Sequence, residues 1–185
     1  MIQKIVDSIP AQKGDRIVEI GPGAGAITGL ILQAYDDVVA VEIDQRMVEH
    51  LSEEHPNLKI VNEDILKSDW SEFVIADKPV HVVGNLPYYI TSQILFKVLE
   101  YRKHITSALL MMQKEVAERI VADPRSKEYG ILSVQTQLMS SPEILFDVPP
   151  DVFSPPPNVN SAVLKLTFDK PDLKCTDKNL KTVVR

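Results

Sequence analysis

The residues best suited to chemistry fall in five short segments, of which Asn85-Leu86-Pro87-Tyr88 is the most specific. The exocyclic amine of adenine is a poor nucleophile, because its lone pair is delocalised into the ring. Two acceptors, the Asn85 side-chain oxygen and the Leu86 carbonyl, can hold its two hydrogens and favour a pyramidal nitrogen. Pro87 stiffens such a loop, and Tyr88 can stack on a base taken out of its helix. The alkylated amine is acidic enough to lose its proton to an acceptor or to water, so no strong base is needed.

A second segment is Glu19-Ile20-Gly21-Pro22-Gly23-Ala24-Gly25. Glycines at a strand-to-helix turn let a ligand approach the backbone closely. A dinucleotide fingerprint spaces its glycines Gly-x-Gly-x-x-Gly; here Gly25 comes one residue early. That spacing points to an adenosine ligand without a diphosphate. Glu42 follows Gly21 by 21 positions, about the spacing at which an acid meets ribose hydroxyls. Asp44 lies two residues on; Glu42 is the preferred acceptor, because Ile43 can then flank adenine. In Glu63-Asp64-Ile65, Asp64 can accept from the adenine amine while Ile65 offers an apolar face. The fifth segment runs from Phe153 through Pro155-Pro156-Pro157 to Ser161. Three prolines fix an extended backbone, which would hold Phe153 over the pocket, against a base or a sulfonium cation.

The elements that must position these residues alternate. Arg16–Ile20, Asp37–Ile43, Leu58–Val61, Val80–Gly84 and Ser107–Met112 read as strands. Ala26–Ala34, the segment through Met47 and Leu51, Thr91–Glu100 and the start at Glu115–Val121 read as helices. This βα alternation predicts a mostly parallel sheet covered on both faces. After about Pro142 the pattern changes. Glu143–Val148 and Ser161–Phe168 are strand-like, no helix fits between them, and they should pair antiparallel. A mostly parallel seven-stranded sheet closed by a C-terminal antiparallel hairpin is the shape of the α/β class I methyltransferase (Rossmann-like) fold.

Composition narrows the classes. The chain has 185 residues, 44% of them hydrophobic, and a net charge of −6. That suffices for one core, and the charge does not by itself suggest nucleic acid. The balance is uneven: residues 169–185 hold five Lys/Arg against three Asp. No run approaches the ~18 apolar residues of a membrane helix, and Met1-Ile2-Gln3-Lys4 opens no signal peptide. The single cysteine, Cys175, excludes a disulfide framework and suits a cytoplasmic protein. His50, His55, His81 and His104 lack metal-ligand spacing, so no metal is expected. Arg119, Arg125 and Lys127 are candidates for phosphate contacts.

Together the five segments resemble the ribosomal RNA adenine N6-dimethyltransferases of the small subunit. Asn85-Leu86-Pro87-Tyr88-Tyr89-Ile90-Thr91, Gln113–Arg119 and Ser126-Lys127-Glu128-Tyr129-Gly130 are similar to the bacterial branch. The match runs from about Ile5 to Phe168. The resemblance implies S-adenosyl-L-methionine as donor and dimethylation of two adjacent adenines in small-subunit RNA, within a partly assembled pre-30S-type particle. It also implies a role in subunit assembly. Glu19, Gly21, Gly23, Gly25, Glu42, Ile43, Asp64, Ile65 and Asn85 would surround the donor. Asn85, Leu86, Pro87, Tyr88 and Phe153 would handle the base. A soluble monomer is expected, with residues 1–168 as the methyltransferase domain and 169–185 as a polar tail opening a further domain. By the same resemblance the chain is a form truncated at both ends. Macrolide-resistance rRNA methyltransferases share the fold and the Asn85 loop, but usually lack the Gly-Pro-Gly turn and the triple proline. Leu86 speaks against DNA adenine or protein-glutamine methyltransferases, which favour Asn/Asp-Pro-Pro-Tyr. The glycine spacing and the terminal hairpin speak against a dehydrogenase. A non-catalytic factor that binds pre-ribosomal particles is the alternative from another class.

Overall fold

In the computed structural model, which describes residues 1–74, 76–152 and 156–171, helices and strands alternate. In chain order they are α1 (Ile2–Asp7), β1 (Arg16–Ile20), α2 (Thr28–Ala34), β2 (Asp37–Val41), α3 (Gln45–Glu54), β3 (Lys59–Val61) and α4 (Ser71–Val74). There follow β4 (Val80–Asn85), α5 (Thr91–Glu100), β5 (Ser107–Gln113), α6 (Lys114–Val121), α7 (Ile131–Met139), β6 (Ser141–Val148) and β7 (Ser161–Thr167). Short 3₁₀ turns occupy Tyr88–Ile90 and Pro150–Val152.

The seven strands among the described residues join one sheet in the order β3-β2-β1-β4-β5-β7-β6. The first five run parallel. The runs of β1, β2, β4 and β5 are buried on both faces, as central parallel strands require, while β3 at the edge is half-buried. β7 enters between β5 and β6 and is antiparallel to both. The mostly parallel sheet with a terminal antiparallel hairpin is the architecture expected above. The β6–β7 register shifts between Ile144 and Phe146.

Side chains alternate across each strand, and this divides the core. Val18, Ile20, Val39 and Val41 face a cluster with Trp70, Phe73, Ile94, Leu95 and Leu99 from the α4 and α5 side. Ile17, Val38, Ala40, Val83, Leu109 and Met111 face the other side, against Ile5 and Val6 of α1 and Ile31 of α2. Glu19 falls on this second face, between two strand positions whose neighbours are apolar.

Several boundaries differ from the sequence-based expectations. α2 begins at Thr28, not Ala26, because the glycine turn persists through Ile27. β2 ends at Val41, since Glu42 turns its carboxylate onto backbone amides (below). β6 starts two residues early, at Ser141, and takes in Pro142. Proline is tolerated there because β6 is an edge strand. Helices α4, only four residues long, and α7, which exposes Ile131 and Leu138 while burying Ser133, Gln135 and Thr136, were not expected. Phe153, Ser154, Pro155 and residues 172–185, with Cys175, lie outside the described residues. Among those described, no helix is long and apolar enough to cross a membrane.

Candidate functional site

Parallel strands bring their C-terminal ends to one edge of the sheet. There a cavity of about 500 Å³ opens between the ends of β1, β4 and β5 and helix α1. Its floor is a row set by register. Glu19 stands beside Val83, Val83 beside Leu109, and Met111 beside Val163. Gly21, Pro22 and Gly23 form one wall, Asn85 another, and Met1, Ile2, Gln3 and Ile5 of α1 a third.

Glu19 is the anomaly in this apolar floor. It is only 1% exposed. One carboxylate oxygen, Oε2, accepts from the Thr28 hydroxyl at 2.8 Å. The other, Oε1, is buried and has no hydrogen-bond partner among the described residues. Burial pushes the Glu19 carboxyl up to about 7; the Thr28 bond opposes this and the nearby Glu42 charge adds to it. A buried acceptor left without a donor is costly. This one lines a cavity, where an incoming N–H or cation would satisfy it.

The glycine turn beside it is left-handed at Gly21, Gly23 and Gly25, with φ of 61°, 56° and 79°. These are angles that residues with a Cβ rarely adopt. Glu42, 7% exposed, staples this turn to the end of β2. Its Oε2 accepts from Gly23 N at 3.0 Å and its Oε1 from Asp44 N at 2.9 Å. Each oxygen keeps a lone pair for a further donor. Asp44, the rival acid, is committed elsewhere: it caps α3 by accepting from Arg46 N and pairs with the Arg46 guanidinium at 2.6 Å. Ile43 is 65% exposed beside Glu42.

Asp64 accepts from Leu66 N at 2.9 Å and lies 3.5 Å from Lys67 Nζ. Ile65 is packed into the core, and its carbonyl accepts from the Trp70 indole at 2.8 Å. Glu42, Ile43, Asp64 and Ile65 do not line the cavity. They stand at the ends of β2 and β3, the next strands outward. The glycine turn thus separates a cavity over β1, β4 and β5 from a polar ledge over β2 and β3.

On the cavity's other flank, Asn85 ends β4 with its side chain exposed. The Leu86 side chain is 1% exposed, and its amide donates to Met111 O at 2.9 Å, which anchors the loop to β5. The Pro87 carbonyl accepts from Ile90 N at 3.1 Å and from the Thr91 hydroxyl at 3.0 Å, which closes the turn. The Tyr88 hydroxyl meets Ser161 Oγ at 2.7 Å. Tyr89 points outward and is 85% exposed.

Sequence reasoning gave no role to Thr28, Val83, Met111 or Ser161, because each acts through register or a long-range bond. Among the described residues no cluster of His, Cys, Asp or Glu could hold a metal. His81 is buried between Ser107 Oγ at 2.8 Å and Asp15 at 3.2 Å, and burial lowers its pKa despite the aspartate.

The family model described as ribosomal RNA adenine dimethylase matches residues 1–185. The Ribosomal RNA small subunit methyltransferase A of Prosthecochloris aestuarii is 46% identical over 184 residues, which cover 100% of this chain and 70% of that protein. The protein of the same name from Streptococcus thermophilus is 44% identical over 180 residues, covering 94% of this chain and 62% of its own length. The chain therefore spans about two thirds of the length of these relatives. Two solved structures superpose on it. A dimethyladenosine transferase from Plasmodium falciparum gives a TM-score of 0.80 at 29% identity, over 90% of this chain and 60% of that one. The 23S rRNA methyltransferase ErmE gives 0.78 at 30% identity, over 98% and 72%. The fold is that of the class I methyltransferases, and the chain belongs to the ribosomal RNA adenine dimethylase family.

Proposed function

We propose that the chain transfers methyl groups from S-adenosyl-L-methionine to the N6 amines of two adjacent adenines in small-subunit ribosomal RNA. One observation carries the donor assignment: the buried Glu19 Oε1, without a hydrogen-bond partner among the described residues, in a cavity walled by left-handed glycines. The donor ends in an ammonium that such an oxygen accepts, and it has no diphosphate that would need a third phosphate-binding glycine. The residues present therefore fit this donor.

In this reading Glu19 accepts from the ammonium, and Gly21, Gly23 and Gly25 let the donor lie against the backbone. Glu42 accepts from the ribose hydroxyls, whose adenine lies on the ledge between Ile43 and the Asp64–Ile65 turn. The donor supplies an electrophilic methyl group on a sulfonium. The Asn85 oxygen and the Leu86 carbonyl hold the two hydrogens of the target amine and free its lone pair. Tyr88, with Phe153, forms the faces between which the flipped base stacks. The methylated amine then loses a proton to an acceptor or to water. Residues 1–168 form the domain that does this, as a cytoplasmic monomer whose partner is a partly assembled small subunit.

The name shared by the relatives at 44% and 46% identity supports the small-subunit target. The similarity to ErmE supports a second reading, methylation of large-subunit RNA. Incubation with tritiated S-adenosylmethionine and undermethylated ribosomal subunits, followed by primer extension, separates the two. Dimethylated adenine pairs in the small-subunit RNA are expected; label in the large-subunit RNA alone refutes the small-subunit reading. Asn85→Ala separates an enzyme from a pure assembly factor. Transfer should fall about a hundredfold, the scale for losing one preorganised polar contact to a reacting group. The donor dissociation constant, read by calorimetry, should stay within a few-fold.

A further inference from the structure

We infer that Ser161 is a positioning residue whose hydroxyl fixes the plane in which Tyr88 meets the target base. This rests on the function proposed above. Tyr88 sits in a three-residue turn, only partly buried, where its ring would otherwise be free to swing. Ser161 is its opposite. It is 0% exposed and opens β7, where its backbone pairs with Gln113 of β5 and Val148 of β6. Three strand ends thus hold one hydroxyl in place. The preceding residue is pinned too, since Asn160 O accepts from Lys114 N at 2.9 Å.

The 2.7 Å contact joins residues 73 positions apart and lies at the mode for O–H···O bonds. A buried serine hydroxyl needs a partner, and Tyr88 supplies one. In return, the ring loses its freedom before any substrate arrives. Ordering a side chain in advance removes that cost from the bound state, which raises the rate at a given affinity. The bond also assigns the Tyr88 hydroxyl. It is a tether to the sheet. Two segments far apart in sequence, the Asn85 loop and the strand after the proline run, are thereby set at a fixed distance.

The test is steady-state methylation of undermethylated small subunits by the wild-type chain, Ser161→Ala, Tyr88→Phe and the double variant. Tyr88→Phe breaks the bond from the turn and leaves β7 untouched, so it covers the case in which Ser161→Ala folds poorly. Each single variant should lower kcat about tenfold, the scale of one lost hydrogen bond. The KM for S-adenosylmethionine should not change. The double variant should be no slower than either single one, because both remove the same bond. Wild-type kcat in Ser161→Ala or Tyr88→Phe overturns the inference. So does a loss of kcat matched by an equal loss of donor affinity, which would mean a damaged sheet. If the wild-type chain neither binds donor nor methylates, the functional reading itself fails. A thermal-unfolding cycle on the same four proteins would then leave the bond as a stability contact only, which also overturns the positioning role.

Discussion

Glu19 should make donor binding a proton-release event. Its carboxyl is raised from 4.5 to about 7, chiefly by burial. At about 1.4 kcal/mol per pK unit, the folded chain disfavours the ionised form by on the order of 3 kcal/mol. Between pH 4.5 and 7 the folded chain keeps this proton while the unfolded chain has released it. Stability from this group is therefore fully present below pH 4.5 and is lost as pH rises through 7. Above pH 7 the empty protein carries a buried anion with one unpartnered oxygen. A cationic donor reverses the preference, because an opposite charge beside a carboxylate favours ionisation. At pH 6 binding should release close to one proton. Between pH 5 and 7 the dissociation constant should fall by up to about tenfold per pH unit. Glu19→Gln removes both effects. Its stability should lose this pH slope, so that at pH 8 it melts several degrees above wild type, at about 2–4 °C per kcal/mol for a domain of this size. Its donor affinity should be weaker and independent of pH. Calorimetry at pH 6 in two buffers of different ionisation enthalpy reads the proton, and thermal melts from pH 4.5 to 8 read the stability. Parallel stability profiles for the two proteins, with no buffer-dependent heat, would refute the assignment of Glu19.

Glu42→Ala removes the acceptor for Gly23 N and Asp44 N together with the proposed ribose contact. Donor binding should weaken by about 1–3 kcal/mol; an unchanged dissociation constant in calorimetry rejects the ledge as the ribose site. Gly84→Ala tests the close approach of β4 to β1. Its Cβ would meet Ile20 O at 3.0 Å and Leu86 Cδ2 at 3.2 Å. A backbone oxygen in a paired strand has little room to yield, so stability should drop by about 1–3 kcal/mol, and a denaturation midpoint equal to wild type would contradict that packing.

Much of this arrangement is legible locally. The β1, β2, β4 and β5 runs are apolar on both faces, which only central parallel strands require, so their boundaries fall within two residues of expectation. Placing Glu19, Gly21, Gly23 and Asn85 on one cavity follows from the same rule, since parallel strands end on one edge. The rest depends on tertiary context. Helix α7 buries Ser133, Gln135 and Thr136 while leaving Ile131 and Leu138 exposed, the reverse of what its apolar spacing suggests. Ser133 finds its acceptor in the Arg119 carbonyl and Gln137 in those of Ile120 and Ala122, at the C-terminal end of α6. The preference for Glu42 over Asp44 rests on Ile43 in the sequence, whereas in the structure the two acids differ in their partners, Glu42 accepting from Gly23 N and Asp44 capping α3. Ile65 looks like Ile43 in sequence, yet one is in the core and the other on the surface. Ser161 stood inside a quoted motif, but its partner lies 73 positions back, and no local pattern reports that.

The place of β7 in the sheet also bears on the order of assembly. It is the last strand among the described residues but the sixth in the sheet. During synthesis the first five strands can associate as they emerge, and the glycine turn and Glu42 can close over them. The outer edge of β5, Ser107-Ala108-Leu109-Leu110-Met111-Met112-Gln113, stays unpaired until β7 arrives. Such an apolar edge invites pairing with other chains, and contacts this distant in sequence form slowly. A nascent chain would thus hold the glycine turn and Asn85 at the strand ends before Val148 and Val163 complete the cavity and before Tyr88 gains its partner. The step that protects β5 from aggregation is the one that brings Ser161 to Tyr88, so a molecule that escapes misassembly is also one whose tyrosine is already in place.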